Sequence, residues 1–548
     1  MIMSSDRDII AKTESLIDDL KSICSLNGIG NSPSEYKVIT QIFLYKYLND
    51  KFIHEINKLK FNGKASIKEV EEYLNKIEPV EYSKLELQLD PNVARIRKEF
   101  MISYLFNNQS TSTPEFYELF DNALIGIAND NINIFSVKTG SKERIRLFDS
   151  LSQNITESNK KNTFFKAIIN KLIGFSFEKA FVEKYDFFAT IFEYLIKDYN
   201  KDFGKYAEYY TPNSIARIIA KILVPDNDKN VTIYDPAAGS GTLLLALAHQ
   251  IGEKNCTIYS QDISQKSNEF LRLNLILNNL VHSLGNVIHG DTLLEPAHLN
   301  ESKSGIKKFD YIVSNPPFKT DFSETRDILA SEKYKERFFA GVPNIPEKSK
   351  DKMAIYLLFI QHILASLNEN GKAAIVVPTG FLSAKSGIEL KIKKKIIENR
   401  WLVGTITMPS NIFANTGTNV SVVFLNKDNT NLKPIFIDGS SLGYKVKDGR
   451  NQRTLLSPED IDMIEKTFID RNVIQDFSTI TSIDEIIEND YSFLATQFFD
   501  FVPTYISINK DEFVKKVEDG LETISELTSD NSKLYNELSE MLKGIKYE

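Results

Sequence analysis

The sequence predicts an α/β protein built on a doubly wound, mostly parallel sheet, with a helical domain before the sheet and a helical tail after it. Three observations carry that prediction. The stretch Val231–Leu247, VTIYDPAAGSGTLLLAL, reads as a strand, a glycine turn and a buried helix. Short apolar runs at Cys256–Asp262, Gly285–His289 and Phe309–Val313 follow it, separated by longer segments. Apolar residues in both flanks recur every three or four positions.

Composition sets the outer limits. The chain has 548 residues, enough for several domains, and its 42% hydrophobic and 26% charged content is that of a globular protein. No apolar run is long enough to span a bilayer. The start, MIMSSDRDIIAKTESL, lacks the cationic end and apolar core of a signal peptide. Cys24 and Cys256 are too few and too far apart for a disulfide framework or a zinc site. The expectation is a cytoplasmic protein that needs no metal. A net charge of −8 argues against a generally basic nucleic-acid binder, leaving DNA to a local basic face or to a partner.

Residues 1–200 are expected to form a helical domain. Ile9, Thr13, Leu16, Leu20 and Ile23 share one helical face; Val38, Ile42, Tyr45, Leu48, Phe52, Ile56 and Leu59 share another. Further helical patterns lie at 66–78, 91–106, 114–128, 163–173 and 186–199. No catalytic cluster stands out among them.

From 201 to 430 the pattern is that of the sheet. Thr211-Pro212 opens a helix whose apolar face is Ile215, Ile218, Ile219, Ile222 and Leu223. Glu208, Tyr209, Tyr210 and Thr211 precede it, able to reach the same sheet edge as the glycine turn. In that turn Asp235 ends the strand, and Ala237, Gly239, Ser240, Gly241 and Thr242 lead into the helix, bringing backbone amides to a ligand without interference from Cβ atoms. Asp262 lies about 20 residues further on, the spacing at which a carboxylate receives ribose hydroxyls. Asp291, after the next strand, either meets the ligand's base or caps the following segment. A nicotinamide fingerprint is incomplete, because Leu244 stands where a third small residue belongs. There is no Gly-Lys-Ser/Thr for a nucleoside triphosphate. A compact nucleoside fits better, with S-adenosylmethionine the obvious candidate.

Lys308–Phe318, KFDYIVSNPPF, decides the chemistry. Asn315, Pro316, Pro317 and Phe318 leave the carboxyl end of a strand, and two prolines hold the backbone extended. The Asn315 side-chain carbonyl and the Pro316 carbonyl make two acceptors that can hold both hydrogens of an exocyclic amino group. Phe318 offers an aromatic face to a base turned out of the duplex.

With these segments in hand, the sequence resembles a known family: amino-methyltransferases that use S-adenosylmethionine, and within them the modification (M) subunit of type I restriction–modification systems. EYYTP is similar to the family's aromatic-Thr-Pro segment at the methionine end of the cofactor. DPAAGSGT resembles its cofactor loop, Asp262 stands at its ribose-binding position, and NPPF is its catalytic motif. MAIYLLFIQHILASLNENGKAAIVVPTGFL and TITMPSNIFANTGTNVSVVFL resemble its later strands, and SIDEIIENDYSFLATQFF its C-terminal signature. Asp291 falls where an adenine-ring contact lies, in the segment that matches the family pattern least. The resemblance runs from about 205 to 500. It implies a Rossmann-like methyltransferase sheet that methylates the exocyclic N6 of adenine in double-stranded DNA. It also implies a specificity (S) subunit as partner, a second copy of the chain and a restriction (nuclease) subunit. A methyltransferase acting on RNA or on protein glutamine, and a catalytically silent assembly subunit, are the alternatives.

Three features lie outside these motifs. Lys319–Lys350 is long and polar, either a lid over base and DNA or a disordered excursion. Lys391, Lys393, Lys394, Lys395 and Arg400 either meet phosphate or form a solvated helix face. Residues 431–508 are expected to extend the core without a recognition domain, and 509–548 to form a partner-binding helix. There, Ile524, Leu527, Asn531, Leu534, Leu538, Met541 and Ile545 alternate spacings of three and four. That is a heptad seam with a polar residue to fix register.

Overall fold

The structure, a computed structural model, describes residues 4–30, 32–110, 113–139, 144–181, 191, 194, 211–224, 228–413, 418–429, 432–448, 451–500 and 510–543. Met1–Phe499 and Asp500–Glu548 are separate compact units.

The first unit begins with helices Ser4–Leu26 (α1) and Pro33–Phe61 (α2). Ser32 caps α2 by accepting from the Glu35 amide, with proline at the first helical position. The predicted faces are buried: Ile9, Leu16, Leu20 and Ile23 on α1; Val38, Ile42, Tyr45, Leu48, Phe52 and Ile56 on α2. Leu59 is exposed. The pattern at 91–106 yields only a short helix, Ile102–Asn107, after a single turn at Lys98–Phe100. Asn131 prevents more, because its side chain accepts from the Arg95 amide and donates to the Arg95 carbonyl, holding that stretch extended. The pattern at 186–199 falls almost wholly outside the described residues.

The N-terminal region is not all helix. Strands Val137–Thr139 (β1) and Arg144–Ile145 (β2) join the main sheet, β1 pairing in parallel with Val287–His289 (β5). Neither was expected, since so short a run has no alternation to read. The other sheet strands are Val231–Asp235 (β3), Cys256–Asp262 (β4), Phe309–Ser314 (β6), Leu367–Pro378 (β7), Leu402–Thr407 (β8), Val420–Asn426 (β9), Ile435–Asp438 (β10) and Ser478–Ile480. The order across the sheet is Ser478–Ile480, then β10, β8, β9, β7, β6, β3, β4, β5, β1, β2. Pairs β3–β4, β4–β5, β3–β6 and β6–β7 are parallel, while β9 runs antiparallel to both neighbours. From β3 the chain winds outward through β4 and β5, then returns to place β6 on the other side of β3. That reversal opens a crevice at the carboxyl ends of β3 and β6.

Successive residues along these strands enter opposite cores. Ile233, Val313, Ala374 and Val376 pack on one side, and Tyr234, Ile312, Ala373 and Ile375 on the other. Helices Asn213–Leu223 (α3), Thr242–Ile251 (α4), Gln265–Leu277 (α5), Tyr356–Ser366 (α6) and Gly387–Glu398 (α7) belong to this core. The buried Arg272 of α5 donates to the carbonyls of Phe135, Ile145 and Arg146, tying the N-terminal region to the sheet.

The structure bears on two stretches that the sequence left open. The 319–350 segment is folded: Phe322, Leu329, Tyr334, Phe338 and Val342 bury against Leu293, Met353, Leu358 and Phe359. Its polar appearance hides five apolar anchors. The basic run on α7 is not a uniformly solvated face. Lys393 is buried and donates to the Leu382 carbonyl, and Lys395 lies 3.8 Å from the centre of the Phe339 ring.

The second unit is described through one helix, Lys510–Lys543 (α8). Ile524, Leu527, Leu534 and Leu538 are all exposed along it, as are Phe513, Val517 and Leu521 before them. Ile545 lies outside the described residues.

Candidate active site

Two carboxylates hold the glycine turn from opposite ends. Asp235 Oδ1 accepts from the Ala237 amide at 2.9 Å and from Ser314 Oγ at 2.8 Å, so the end of β3 is fastened to the end of β6. Asp262 Oδ2 accepts from the Gly239 amide at 2.9 Å, and its Oδ1 from the Ser264 amide at 2.8 Å. Asn274 donates to the Ser240 carbonyl and Thr292 Oγ1 to that of Pro236, closing the remaining sides. Gly241 has φ +83°, and a Cβ there would lie 2.2 Å from Leu271 Cδ1. Only glycine satisfies both the left-handed backbone and that close packing.

The turn forms one wall of a cavity of about 320 Å³, within the range of small-molecule sites. Ala237, Gly239, Ser240 and Asp262 line one side, and Asp291, Leu293, Asn315, Pro317 and Phe359 the other. Lys266 and Phe270 complete the rim, and Tyr36 of α2 packs edge-on to Phe270 at 5.0 Å. Burial raises Asp235 from the ordinary 3.8 to about 7, against the opposing hydrogen bonds from Ala237 and Ser314. Burial raises Asp262 in the same sense.

The expected residues fall as follows. Asp235, Thr211, Ser240, Thr242 and Asn315 meet at a small recess beside the main cavity. Asn315 Nδ2 donates to Thr211 Oγ1 at 3.2 Å, which leaves Oδ1 as an acceptor. Pro212 caps α3. Gly241 caps α4, and Thr242 Oγ1 lies 3.1 Å from Ser240 Oγ. Pro316 is buried, and half-buried Phe318 packs edge-on to Tyr356 with centroids 6.4 Å apart. Asp291 lines the cavity and also caps the next segment, accepting from the Leu293 and Leu294 amides. Glu208, Tyr209 and Tyr210 lie outside the described residues. The sequence reading missed Ser314, Thr292, Asn274, Leu293 and Phe359. Ser314 and Thr292 each adjoin a residue already singled out; the others carry no local signal.

A mostly parallel sheet with a small-molecule cavity at its switch point, lined by a glycine turn and by Asn315 and Pro317, defines a ligand-binding protein of the doubly wound class. Residues 183–502, more than half of the chain, match the model of the family described as N-6 DNA Methylase. The chain belongs to that family. It is 28% identical over 427 residues to the type I restriction enzyme MpnII methylase subunit of Mycoplasma pneumoniae, covering 76% of this chain and 72% of that one. It is 25% identical over 522 residues to the MjaVIII methylase subunit of Methanocaldococcus jannaschii, covering 93% and 80%. The crystal structure of a type I restriction-modification system methyltransferase subunit from Streptococcus thermophilus shares the fold. Its TM-score is 0.69 at 21% identity, over 90% of this chain and 100% of that one.

Proposed function

We propose that this chain is the modification subunit of a type I restriction–modification complex, methylating adenine N6 in double-stranded DNA with S-adenosylmethionine. The observation that carries the reading is the meeting of Asn315 and the glycine turn in one cavity, with Ser314–Asp235 joining their strands. The residues present suit such a cofactor. Asp262 offers a carboxylate to ribose hydroxyls, Asp291 has an oxygen left for the base, and the 208–212 segment takes the methionine end. Desolvation raises both Asp235 and Asp262, and a ligand carrying positive charge would draw both back toward the ionised form.

The bound cofactor supplies an electrophilic methyl group on a sulfonium. Asn315 Oδ1 and the Pro316 carbonyl accept the two hydrogens of the target amine, so its lone pair leaves conjugation with the ring and turns toward the cavity. Thr211 fixes which end of the Asn315 amide does this. Phe318 stacks on the flipped base. The surplus proton of the methylated amine passes to solvent, and catalysis rests on placement.

Sequence recognition is assigned to a specificity subunit held by the exposed seam of α8, with a second copy of this chain and a restriction subunit completing the assembly. Among the described residues no helix is long and apolar enough to cross a membrane, and the proposed setting is the cytoplasm. In this reading the chain divides by function at 200, 430 and 508 into assembly, chemistry, core extension and tail. The test is transfer from labelled S-adenosylmethionine, by chain co-purified with its specificity subunit, to DNA, RNA and protein in parallel. Label in DNA alone is expected; label chiefly in RNA or protein would overturn the reading.

A further inference from the structure

A second cavity, of about 800 Å³, lies at the end of the sheet away from Asn315. Lys308 enters it just before β6, Trp401 just before β8, and Lys427 just after the antiparallel β9. It shares no lining residue with the cofactor cavity.

The walls are strongly basic. Lys303, Lys308, Lys333, Lys395, Lys427 and Arg337 line them against two carboxylates, Glu295 and Glu336. In a chain of net −8, so local an excess of cations runs against the average. The ammonium groups are placed rather than loose. Lys427 donates to the Leu364 and Leu367 carbonyls, both at 3.0 Å, and sits 5.0 Å from the centre of the Trp401 ring. Lys308 donates to the Ala365 carbonyl, and Lys395 rests on Phe339. Arg337 closes the inner wall, its donors turned to the Thr292 and Leu293 carbonyls. Among the described residues, none of the five lysines lies within 4.0 Å of a carboxylate oxygen.

None of the five is therefore held in an ion pair. Lys427 falls to about 8, first through burial and then through Lys308 and Lys395, with the opposing attraction of Glu369 the weakest of the named effects. Carbonyls and ring faces orient an ammonium but do not neutralise it. A compact anion with several charges would. Lysines act as point charges that suit phosphate oxygens from any direction, with no need for the planar match that an arginine fork makes. The volume exceeds what one phosphate fills, and lysines on several walls call for charge spread along the ligand.

We infer that this cavity is a binding site for a polyphosphate anion, free or carried by a nucleotide, separate from the methyl-transfer site.

Trp401 is the sole tryptophan, so intrinsic fluorescence reports on the cavity directly. Full-length protein is titrated with sodium triphosphate at fixed ionic strength, and in parallel with ATP, an acidic peptide and a short DNA duplex. A saturable change with triphosphate is expected, weakened at least about tenfold in K395Q/K427Q. Equal affinity for triphosphate and ATP assigns the site to the polyphosphate chain; tighter ATP binding assigns it to a nucleotide. If K395Q/K427Q melts early, K303Q/K333Q, on exposed lysines, serves the same purpose. No saturable response to triphosphate or ATP, a response unchanged in the folded variants, or a response confined to peptide or DNA would overturn the inference.

Discussion

Asp235 is a buried carboxylate whose work is to hold two strand ends together, and burial raises it to about 7. The unfolded chain keeps the ordinary 3.8, so the stability tied to this proton is fully present below 3.8 and is lost as pH rises through about 7. Measured against Asp235→Asn, the wild-type melting advantage should shrink across that window. A cationic cofactor favours the ionised form, so affinity should rise with pH over the same range, a trend calorimetry can follow. Asp262→Ala should weaken cofactor binding by about 1.5–3 kcal/mol, the scale of hydrogen bonds to a charged group. Part of that loss comes from freeing the Gly239 amide. Asp235, Asp262 and Asn315 are legible in the sequence because chemistry and spacing mark them together. Asn274 and Thr292 are not, since each holds the turn by a contact across 34 or 56 residues, respectively.

At the scale of elements, the strand–turn–helix order around the glycines could be read from the sequence, because that order is local. Gly241→Ala should cost about 2–4 kcal/mol, combining a positive φ with a clash on Leu271. Thermal melting checks this, and an unchanged midpoint would show that α5 yields freely. The stretch 91–106 illustrates the opposite case: its apolar spacing is helical, but a side chain 36 residues away claims the Arg95 backbone. The 319–350 lobe was illegible for a related reason. Its anchors are spread among charges, and their partners, Leu293 and Phe359, belong to the cavity wall. Phe338→Ala should therefore loosen that lobe by about 3–5 kcal/mol. Weaker cofactor binding should accompany it, and hydrogen exchange should localise the change to 319–350.

At the scale of the molecule, the N-terminal region is joined to the sheet by β1 and Arg272, whereas α8 belongs to a unit of its own. The sequence showed the seam of α8 but not the joining strands, because β1 joins the sheet through β5, about 150 residues further on, and β2 only through β1. Truncation after Asp511 should leave cofactor affinity intact and abolish assembly with a specificity subunit, as size-exclusion chromatography would show. The full chain alone should bind DNA weakly and without sequence preference, given its net charge of −8. The central claim is that Asn315 presents an adenine amine to a methyl donor held by the glycine turn. Its most direct test is nucleoside mass spectrometry of DNA treated with the assembled complex, wild type beside Asn315→Ala, with cofactor affinity measured on both. N6-methyladenine from the wild type is expected, with none from a variant that still binds cofactor normally. Methylation on cytosine, or near-normal N6-methyladenine from Asn315→Ala, would contradict the account.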